Sequence, residues 1–528
     1  MGAHKSIYLI LLLNNYIYFF VNGDAFHNND KACRARRAND SVVCVCTADY
    51  CDEITREVPQ TGQYFAYTSS QGGLRFSKST GSLQNSNSDN RTDTILVLDP
   101  TIQYQSIQGF GGGVTDTVGI NWVALKNETL QHYLINSYFG ATGIEYNIIR
   151  TPIGGSDFSI RPYTLQDYPE NDASLSNFSL AYEDYNYKIP VIKASIALAT
   201  APVQIIASCW SPPTWMKHVH NITGTSQLRD KFSQTYADYH LKFLESYARE
   251  NLTIWALTTT NEPLSGIMSL GKANRLGWTT QKMGRWIANN FGPTIRNSSF
   301  SNIKIIAGDD QRFSLILWYN IVIQEVPEAD KYIDGLAVHF YFDELSPPEI
   351  LTKATEDHPD KFILATEASN GVGPTIPAVV LGSWDRAQKY IKDIIEDLNY
   401  NVVGWVDWNI ALDEQGGPTY INNCIDSPII VNAQRGEFVK QPMFYALGHF
   451  SKFLPRGSRR INVSATYPDS TPLDNVAFLT PRNTIVVVVY NEVDQTRAVR
   501  IRLGNQEAFL SIEPQSIATV EFPYSQAS

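Results

Sequence analysis

From Gln105 to Asn409 the chain alternates between two hydrophobic rhythms. Short apolar runs bounded by turn residues predict strands at Gln105–Gly112, Tyr146–Thr151, Val203–Ser208, Ile254–Thr259, Lys304–Gly308, Gly335–Phe340, Phe362–Thr366 and Val402–Asp407. Between them, apolar residues recur at helical spacing, as in Leu130–Phe139, Lys231–Arg249, Thr280–Phe291 and Trp384–Leu398. Strand and helix in alternation make an α/β chain with a parallel sheet and helices outside it. Eight such units over roughly 300 residues match a closed (β/α)8 TIM barrel in size better than an open sheet.

The flanks keep the strand rhythm alone. Gln63–Ser69, Leu74–Lys78 and Thr94–Asp99 precede the barrel; Val476–Thr480, Thr484–Tyr490, Ala498–Leu503, Phe509–Ile512 and Ile517–Phe522 follow it. Neither flank has enough strands to bury a core by itself, so the two are expected to join in one all-β sandwich domain. The cysteine-rich start is expected to pack with an insertion at Ala411–Gln441 as a small disulfide-bearing β subdomain. The expected division is a signal peptide at 1–23, the small subdomain from 24–58 plus 410–442, the sandwich from 59–104 plus 457–528, and the barrel from 105–409 plus 443–456.

The N-terminus carries Lys5 and then a mostly apolar run from Ile7 to Val21, broken by Asn14 and Asn15 and followed by Gly23 and Ala25. This predicts a secretory signal peptide, too short and interrupted for a membrane span, with the mature chain starting near Asp24. No later stretch is long enough for a transmembrane segment. Four of the six cysteines crowd into Cys33, Cys44, Cys46 and Cys51. In a secreted chain that crowding predicts two local disulfides in preference to a zinc knuckle, leaving Cys209 and Cys424 over. Glycosylation sequons stand at Asn39, Asn90, Asn127, Asn177, Asn221, Asn251, Asn297 and Asn462.

Composition narrows the function. With 43% hydrophobic and 18% charged residues the chain is globular, and a net charge of −11 argues against a nucleic-acid partner. Ten tryptophans and 28 tyrosines suit a sugar-binding surface, although any single aromatic more often serves a core.

The chemistry centres on two glutamates. Glu262, in Thr259-Thr260-Asn261-Glu262-Pro263, and Glu367, in Leu364-Ala365-Thr366-Glu367-Ala368, each follow a predicted strand. The strand end is where a barrel keeps its reactive groups, and a carboxyl pair is what glycosidic cleavage needs. Desolvation is expected to raise the Glu262 carboxyl so that it can serve as general acid. Glu367 is expected to stay ionised as the nucleophile, with Arg150 at the end of the second strand as the cation beside it; a structural salt bridge is the bland alternative for that arginine. Asn261 can hold a sugar hydroxyl. Asp157, Trp210, His339, Tyr341 and Trp408 stand at other strand ends and suggest the rim of a pocket. There is no His-Glu-x-x-His, Gly-x-Ser-x-Gly or complete Gly-x-x-x-x-Gly-Lys-Ser/Thr motif. The glycine run Gly109–Gly113 lacks a phosphate-binding pattern and reads as a tight strand-one turn.

Together these motifs resemble glycoside hydrolase family 30, in its glucosylceramidase branch, from about Cys33 to Tyr524. The blocks that carry the likeness are Ser41–Cys46, Gly109–Gly112, Tyr146–Arg150, Asp157–Arg161, Trp384–Arg386, Asp426–Val431, Gln441–Tyr445 and Gly448–Phe453. The resemblance implies a retaining β-glucosidase acting on glucosylceramide, with Glu262 as acid/base and Glu367 as nucleophile. It implies glucose contacts from Asp157, Trp210, Asn261, Trp408 and Asn423, with His339 and Tyr341 beside the catalytic pair and Arg150 among the substrate-binding residues. It implies no metal or organic cofactor. It also implies a lysosomal or secreted protein, peripheral on luminal membranes, aided by a saposin-type activator and anionic lipids. The chain departs from the family pattern at Cys209 and Ser369 and in the loops 264–278 and 370–379, which frame the entrance. The competing readings are a retaining β-glycosidase for another glycolipid or β-glucoside, and a non-catalytic glycolipid-binding relative; the intact glutamates speak against the second.

Overall fold

A computed structural model describes residues 31–86, 93–268, 272–373, 375–468 and 471–525. The expected signal peptide, the start near Asp24 and the Asn90 sequon lie outside them.

Eight parallel strands close into a barrel: β1 (Gly109–Gly113), β2 (Ile148–Ile153), β3 (Gln204–Cys209), β4 (Ile254–Thr258), β5 (Lys304–Gln311), β6 (Gly335–His339), β7 (Phe362–Glu367) and β8 (Val402–Asn409). Each pairs with its successor, and β8 returns to β1 through Gly404↔Gly109 and Asp407↔Gly112. The interior is packed by Ile148, Ile206, Ala256, Ile306, Ala337, Leu364, Val403 and Val406, supplied by β2 to β8. β1 supplies none of them. Its glycines let neighbouring backbones close in: a Cβ on Gly111 would lie 2.0 Å from the Ile148 carbonyl oxygen, and one on Gly113 would lie 1.8 Å from that of Trp408. The glycine run expected as a turn is therefore the first barrel strand itself. Gln105 and Ser106, expected at that strand's start, finish a long sandwich strand, Thr94–Ser106.

The sandwich is one folded ladder of ten strands. In spatial order they are Ser77–Ser82, Gln63–Ser70, Ser516–Pro523, Thr484–Asn491, Asp474–Leu479, Arg459–Thr466, Thr94–Ser106, Arg497–Leu503, Gln506–Ile512 and Gln84–Asn85. The ladder doubles over a core that includes Leu96, Val487, Ile501 and Val520. Tyr64 Oη, near one end of the ladder, donates to the Phe509 carbonyl near the other at 2.5 Å. The strand expected at Leu74–Lys78 begins only at Ser77. Arg75 is tied down by the Ser70 and Val42 carbonyls, and Phe76 sits at φ +46°, so residues 74–76 turn instead of extending. Arg459–Thr466 escaped the apolar criterion because most of its residues are only half-buried or exposed.

A small sheet joins Ala35–Ala38, Ser41–Thr47, Glu437–Lys440, Ile429–Asn432 and Leu412–Asp413. Disulfides Cys33–Cys44 and Cys46–Cys51 staple its start, while Cys209 and Cys424 are free. Val43, Val45, Ile430 and Val439 from this sheet pack in one cluster with Phe158, Trp210 and Trp408, so the sheet backs the barrel mouth.

The helix Pro442–Ser451 is buried along its whole length and joins barrel to sandwich. Its His449 lies between Ser69 Oγ (2.9 Å) and Thr519 Oγ1 (2.8 Å), with its ring stacked on Phe76. The helix Trp384–Asn399 starts at Ser383, whose hydroxyl accepts from the Arg386 N–H. It buries Trp384, Ala387, Tyr390, Ile391, Ile394 and Leu398, a stripe at spacings of three and four. Among the described residues no helix is long and apolar enough to cross a membrane. Asn39, Asn127, Asn177, Asn221, Asn251 and Asn297 are exposed; Asn462 is half-buried and accepts from Tyr104 Oη at 3.1 Å.

Candidate active site

The segment after β4 crosses the barrel mouth while keeping ladder contacts on both sides. Asn261 N donates to the Cys209 carbonyl (3.0 Å) and Glu262 N to that of Asp309 (2.9 Å). Glu262 has φ +45°, a conformation that costs a non-glycine residue about 1–2 kcal/mol. The surrounding structure compensates for it: Leu264 N, just beyond Pro263, donates to Asp310 Oδ2 at 2.9 Å. The strained residue carries its carboxylate over the mouth. Glu367 arrives more simply, as the last residue of β7.

Buried polar groups fix both carboxylates. Arg150, wholly buried, donates from Nη1 to Glu367 Oε2 (2.5 Å) and from Nη2 to Asn261 Oδ1 (2.6 Å) and Asp309 Oδ2 (2.9 Å). Tyr341 Oη donates to Glu367 Oε1 at 2.8 Å. His339 reaches Asp309 Oδ1 with Nε2 (3.1 Å) and Glu262 Oε1 with Nδ1 (3.4 Å). Gln311 Nε2 donates to Glu262 Oε1 at 3.3 Å, and Arg275 Nη1 stands 3.7 Å from Oε2. Asp309 also accepts from Ser208 (2.7 Å) and Thr366 (2.8 Å), so all of its bonding comes from inside the barrel.

These contacts set the protonation states. Burial would lower His339, but Glu367, Asp309 and Glu262 around it push it up to about 10 and keep it cationic. Burial likewise would raise Glu262; the hydrogen bond and charge of His339, with Arg275, outweigh it and hold the carboxyl below its ordinary value. The expected rise of Glu262 is thus reversed by a neighbour from β6. Asp309 is held far below the carboxylate range, because the Arg150 charge and the His339 bond overcome its burial. Asp157 is pushed up to about 7 by burial and then by the Glu367 charge, against the hydrogen bond from Asn423 Nδ2 (2.7 Å).

Above this network lies a cleft of about 2160 Å³. Asp157, Trp210, Asn261, Glu262, Tyr341, Glu367, Trp408 and Asn423 line it. Trp210 and Trp408 stack, centroids 5.1 Å apart at 14°, and the Arg150 guanidinium lies 4.9 and 5.3 Å from their rings. Arg150 and His339, expected among the substrate contacts, do not reach the cleft. Both are wholly buried behind the carboxylates, with their hydrogen bonds made to Asp309, Asn261 and the two glutamates. Asp309, Gln311 and Arg275 were not anticipated. Gly308-Asp309-Asp310 at the end of the fifth predicted strand satisfies the strand-end criterion that picked out Glu262.

Oxygens of Glu262 and Glu367 and a nitrogen of His339 lie within 4.8 Å of one another. A protonated imidazole has no lone pair to offer, so this trio does not suit a metal ion. It suits a reacting centre flanked by one carboxyl to give a proton and another to attack.

Residues 107–454 match the model described as glycosyl hydrolase family 30 TIM-barrel domain, and 457–520 match the family's beta sandwich domain. The chain belongs to glycoside hydrolase family 30. The family's barrel begins where β1 is about to start, just past the long sandwich strand. This family 30 chain is 44% identical over 463 residues to "Lysosomal acid glucosylceramidase" of Mus musculus, covering 85% of this chain and 87% of that one. It is 40% identical over 471 residues to "Putative glucosylceramidase 3" of Caenorhabditis elegans, with 87% and 88% covered. Among solved structures, SrfJ from salmonella typhimurium superposes with a TM-score of 0.80 at 24% identity, covering 88% of this chain and all of that one; it shares the fold.

Proposed function

We propose that this chain hydrolyses glucosylceramide to glucose and ceramide as a retaining β-glucosidase, with Glu367 as nucleophile and Glu262 as acid/base. One observation supports the mechanism: an oxygen of Glu262 lies within 4.8 Å of an oxygen of Glu367, so the pair is close together across the barrel mouth. Retaining pairs stand about 5–5.5 Å apart, whereas inverting pairs leave about 6.5–9.5 Å for a water. Glu367 attacks the anomeric carbon, and the bond to the aglycone oxygen breaks as that oxygen takes the Glu262 proton. Water then attacks the glycosyl-enzyme, gives its proton back to Glu262, and releases glucose with its β configuration kept. Arg150 and Tyr341 aim the two oxygens of Glu367. Asp157, Trp210, Asn261, Trp408 and Asn423 serve as glucose contacts.

The protonated fraction of Glu262 falls as pH rises, and the neighbours that hold it below its ordinary value move that fall to lower pH, so the first step is favoured in acid. That supports a lysosomal place of work. Phe342, Leu345, Val372 and Ile376 line the cleft yet remain 46–81% exposed, an apolar rim suited to a lipid surface. The proposal extends to action on luminal membranes, with a saposin-type activator and anionic lipid, and the rim is the feature that supports it. The test is glucose release from glucosylceramide in anionic vesicles at pH 5, with Glu262→Gln and Glu367→Gln beside the wild type. Release of α-glucose, or unimpaired turnover in Glu367→Gln, would sink the mechanism. Turnover of an aryl β-glucoside without turnover of the lipid would sink the substrate.

A further inference from the structure

Outside the catalytic network, a dense concentration of charge surrounds Arg312, just beyond β5. This arginine is wholly buried and faces four carboxylates from two other elements. Asp343, in the short turn Asp343–Leu345 of the cleft-mouth loop, lies 3.0 Å from Nη2. The helix Trp384–Asn399 supplies Asp393 (3.8 Å), Glu396 (2.7 Å) and Asp397 (3.0 Å). Oxygens of Asp343, Asp393 and Asp397 come within 4.8 Å of one another. Asp343 Oδ1 and Asp397 Oδ2 are buried without a partner, the state expected of an oxygen facing another carboxylate.

The surroundings supply little compensation. Trp405 Nε1 donates to Asp393 Oδ2 at 2.8 Å but carries no charge. Lys389 stands 3.6 Å from Glu344, and Lys392 is paired with Glu492 at 2.7 Å. Tyr400, Glu349 and Asp474 also face this side, and none is a cation. Fully ionised, Asp343, Asp393 and Asp397 around one guanidinium would leave two net negative charges in a buried site, with the part-exposed Glu396 beside them. Protons have to be shared for the loop to stay docked.

We propose that this cluster is a proton-operated latch: shared protons dock the mouth loop against the helix Trp384–Asn399, and their loss frees the loop and loosens Tyr341 at its root. Tyr341 donates to Glu367, and residues 342–348 wall the cleft, so the latch would govern the aglycone side of the pocket. The electrostatics agree in sign. Burial and then the neighbouring carboxylates push Asp343 up to about 10, burial pushes Asp393 up to about 6, and Asp397 lies well above its ordinary value. Acids raised in the docked state support docking fully below about pH 4 and lose that support as pH rises through the docked values. Asp393 is the first to release its proton across the range from pH 5 to 7.5.

Hydrogen–deuterium exchange of residues 342–348 tests this without recourse to catalysis, so its failure is separable from failure of the proposed hydrolase reading. After correction for intrinsic rates, the wild-type loop should exchange at least tenfold faster at pH 7.5 than at pH 5, Asp393 alone, raised from about 4 to about 6, supplying about one pH unit of linkage over that range. In Asp393→Asn, and in Asp343→Asn should the first variant fold poorly, that ratio should fall by about tenfold or more. An equal pH response in wild type and folded variants, or no response in the wild type, overturns the latch.

Discussion

Asp309 is the residue whose change tests the buried network most directly. Asp309→Asn keeps shape and hydrogen-bonding capacity but removes one negative charge from between Arg150 and His339. The rise of His339 from 6.5 to about 10, at about 1.4 kcal/mol per pH unit, corresponds to roughly 5 kcal/mol of stabilisation of its cationic form. Three carboxylates share it: Glu367, Asp309 and Glu262. An equal share for Asp309 is about 1.5 kcal/mol, so His339 should titrate about one pH unit lower in the variant. Arg150 also loses a charged partner at 2.9 Å, and breaking a buried pair costs about 3–5 kcal/mol of stability. The assay is the kcat/KM–pH profile on an aryl β-glucoside, alongside histidine ring titration by NMR. The alkaline arm of the profile should steepen or move as His339 discharges and Glu262 loses the charge that holds it down. If the ring titrates where it does in wild type and the denaturation midpoint is unchanged, the hub assignment is wrong.

Three further outcomes follow from other parts of the molecule. His449 is kept neutral by burial, which lowers it to about 3, so its contribution to stability is intact above its ordinary 6.5 and is lost as pH falls towards 3. His449→Gln should therefore lower Tm at pH 7 yet flatten the decline between pH 6.5 and 4, read by scanning fluorimetry. Arg56 pairs with Glu521, both buried; Arg56→Ala should cost about 3–5 kcal/mol in urea denaturation, and Arg56→Ala with Glu521→Gln should recover part of it. Trp408→Ala removes a ring that Trp210 stacks on and the small sheet packs against, and should cost about 3–5 kcal/mol together with at least a tenfold loss in kcat/KM.

The strand–helix rhythm made the barrel legible, and with it both glutamates, because a strand end fixes a side chain's place without knowledge of its neighbours. What stayed hidden depends on residues brought together across the barrel. The lowering of Glu262 needs the charge of His339, and that charge needs Asp309 from the strand between them. Burial alone points the other way. β1 was predicted within Gln105–Gly112; what its glycines hid was its bounds, because a strand that meets its neighbours through bare backbone has no apolar alternation to mark where it starts. Arg150 was recognised as the partner of Glu367, but its lack of access to the cleft could not be read from a strand-end position shared with Trp210 and Trp408.

The sandwich draws its strands from both ends of the chain. Ser516–Pro523 lies between Gln63–Ser70 and Thr484–Asn491, pairing with each along nearly its whole length. During synthesis the first of these partners leaves the ribosome more than four hundred residues before the strand that completes its ladder. The barrel, spanning β1 to β8, can close in the meantime, whereas Gln63–Ser70 waits with an open edge. A nonsense codon that removes only the last dozen or so residues would therefore leave a finished barrel beside a ladder split in two, with an open edge on Gln63–Ser70 and another on Thr484–Asn491, a product for quality control to detain and not a slightly shortened enzyme.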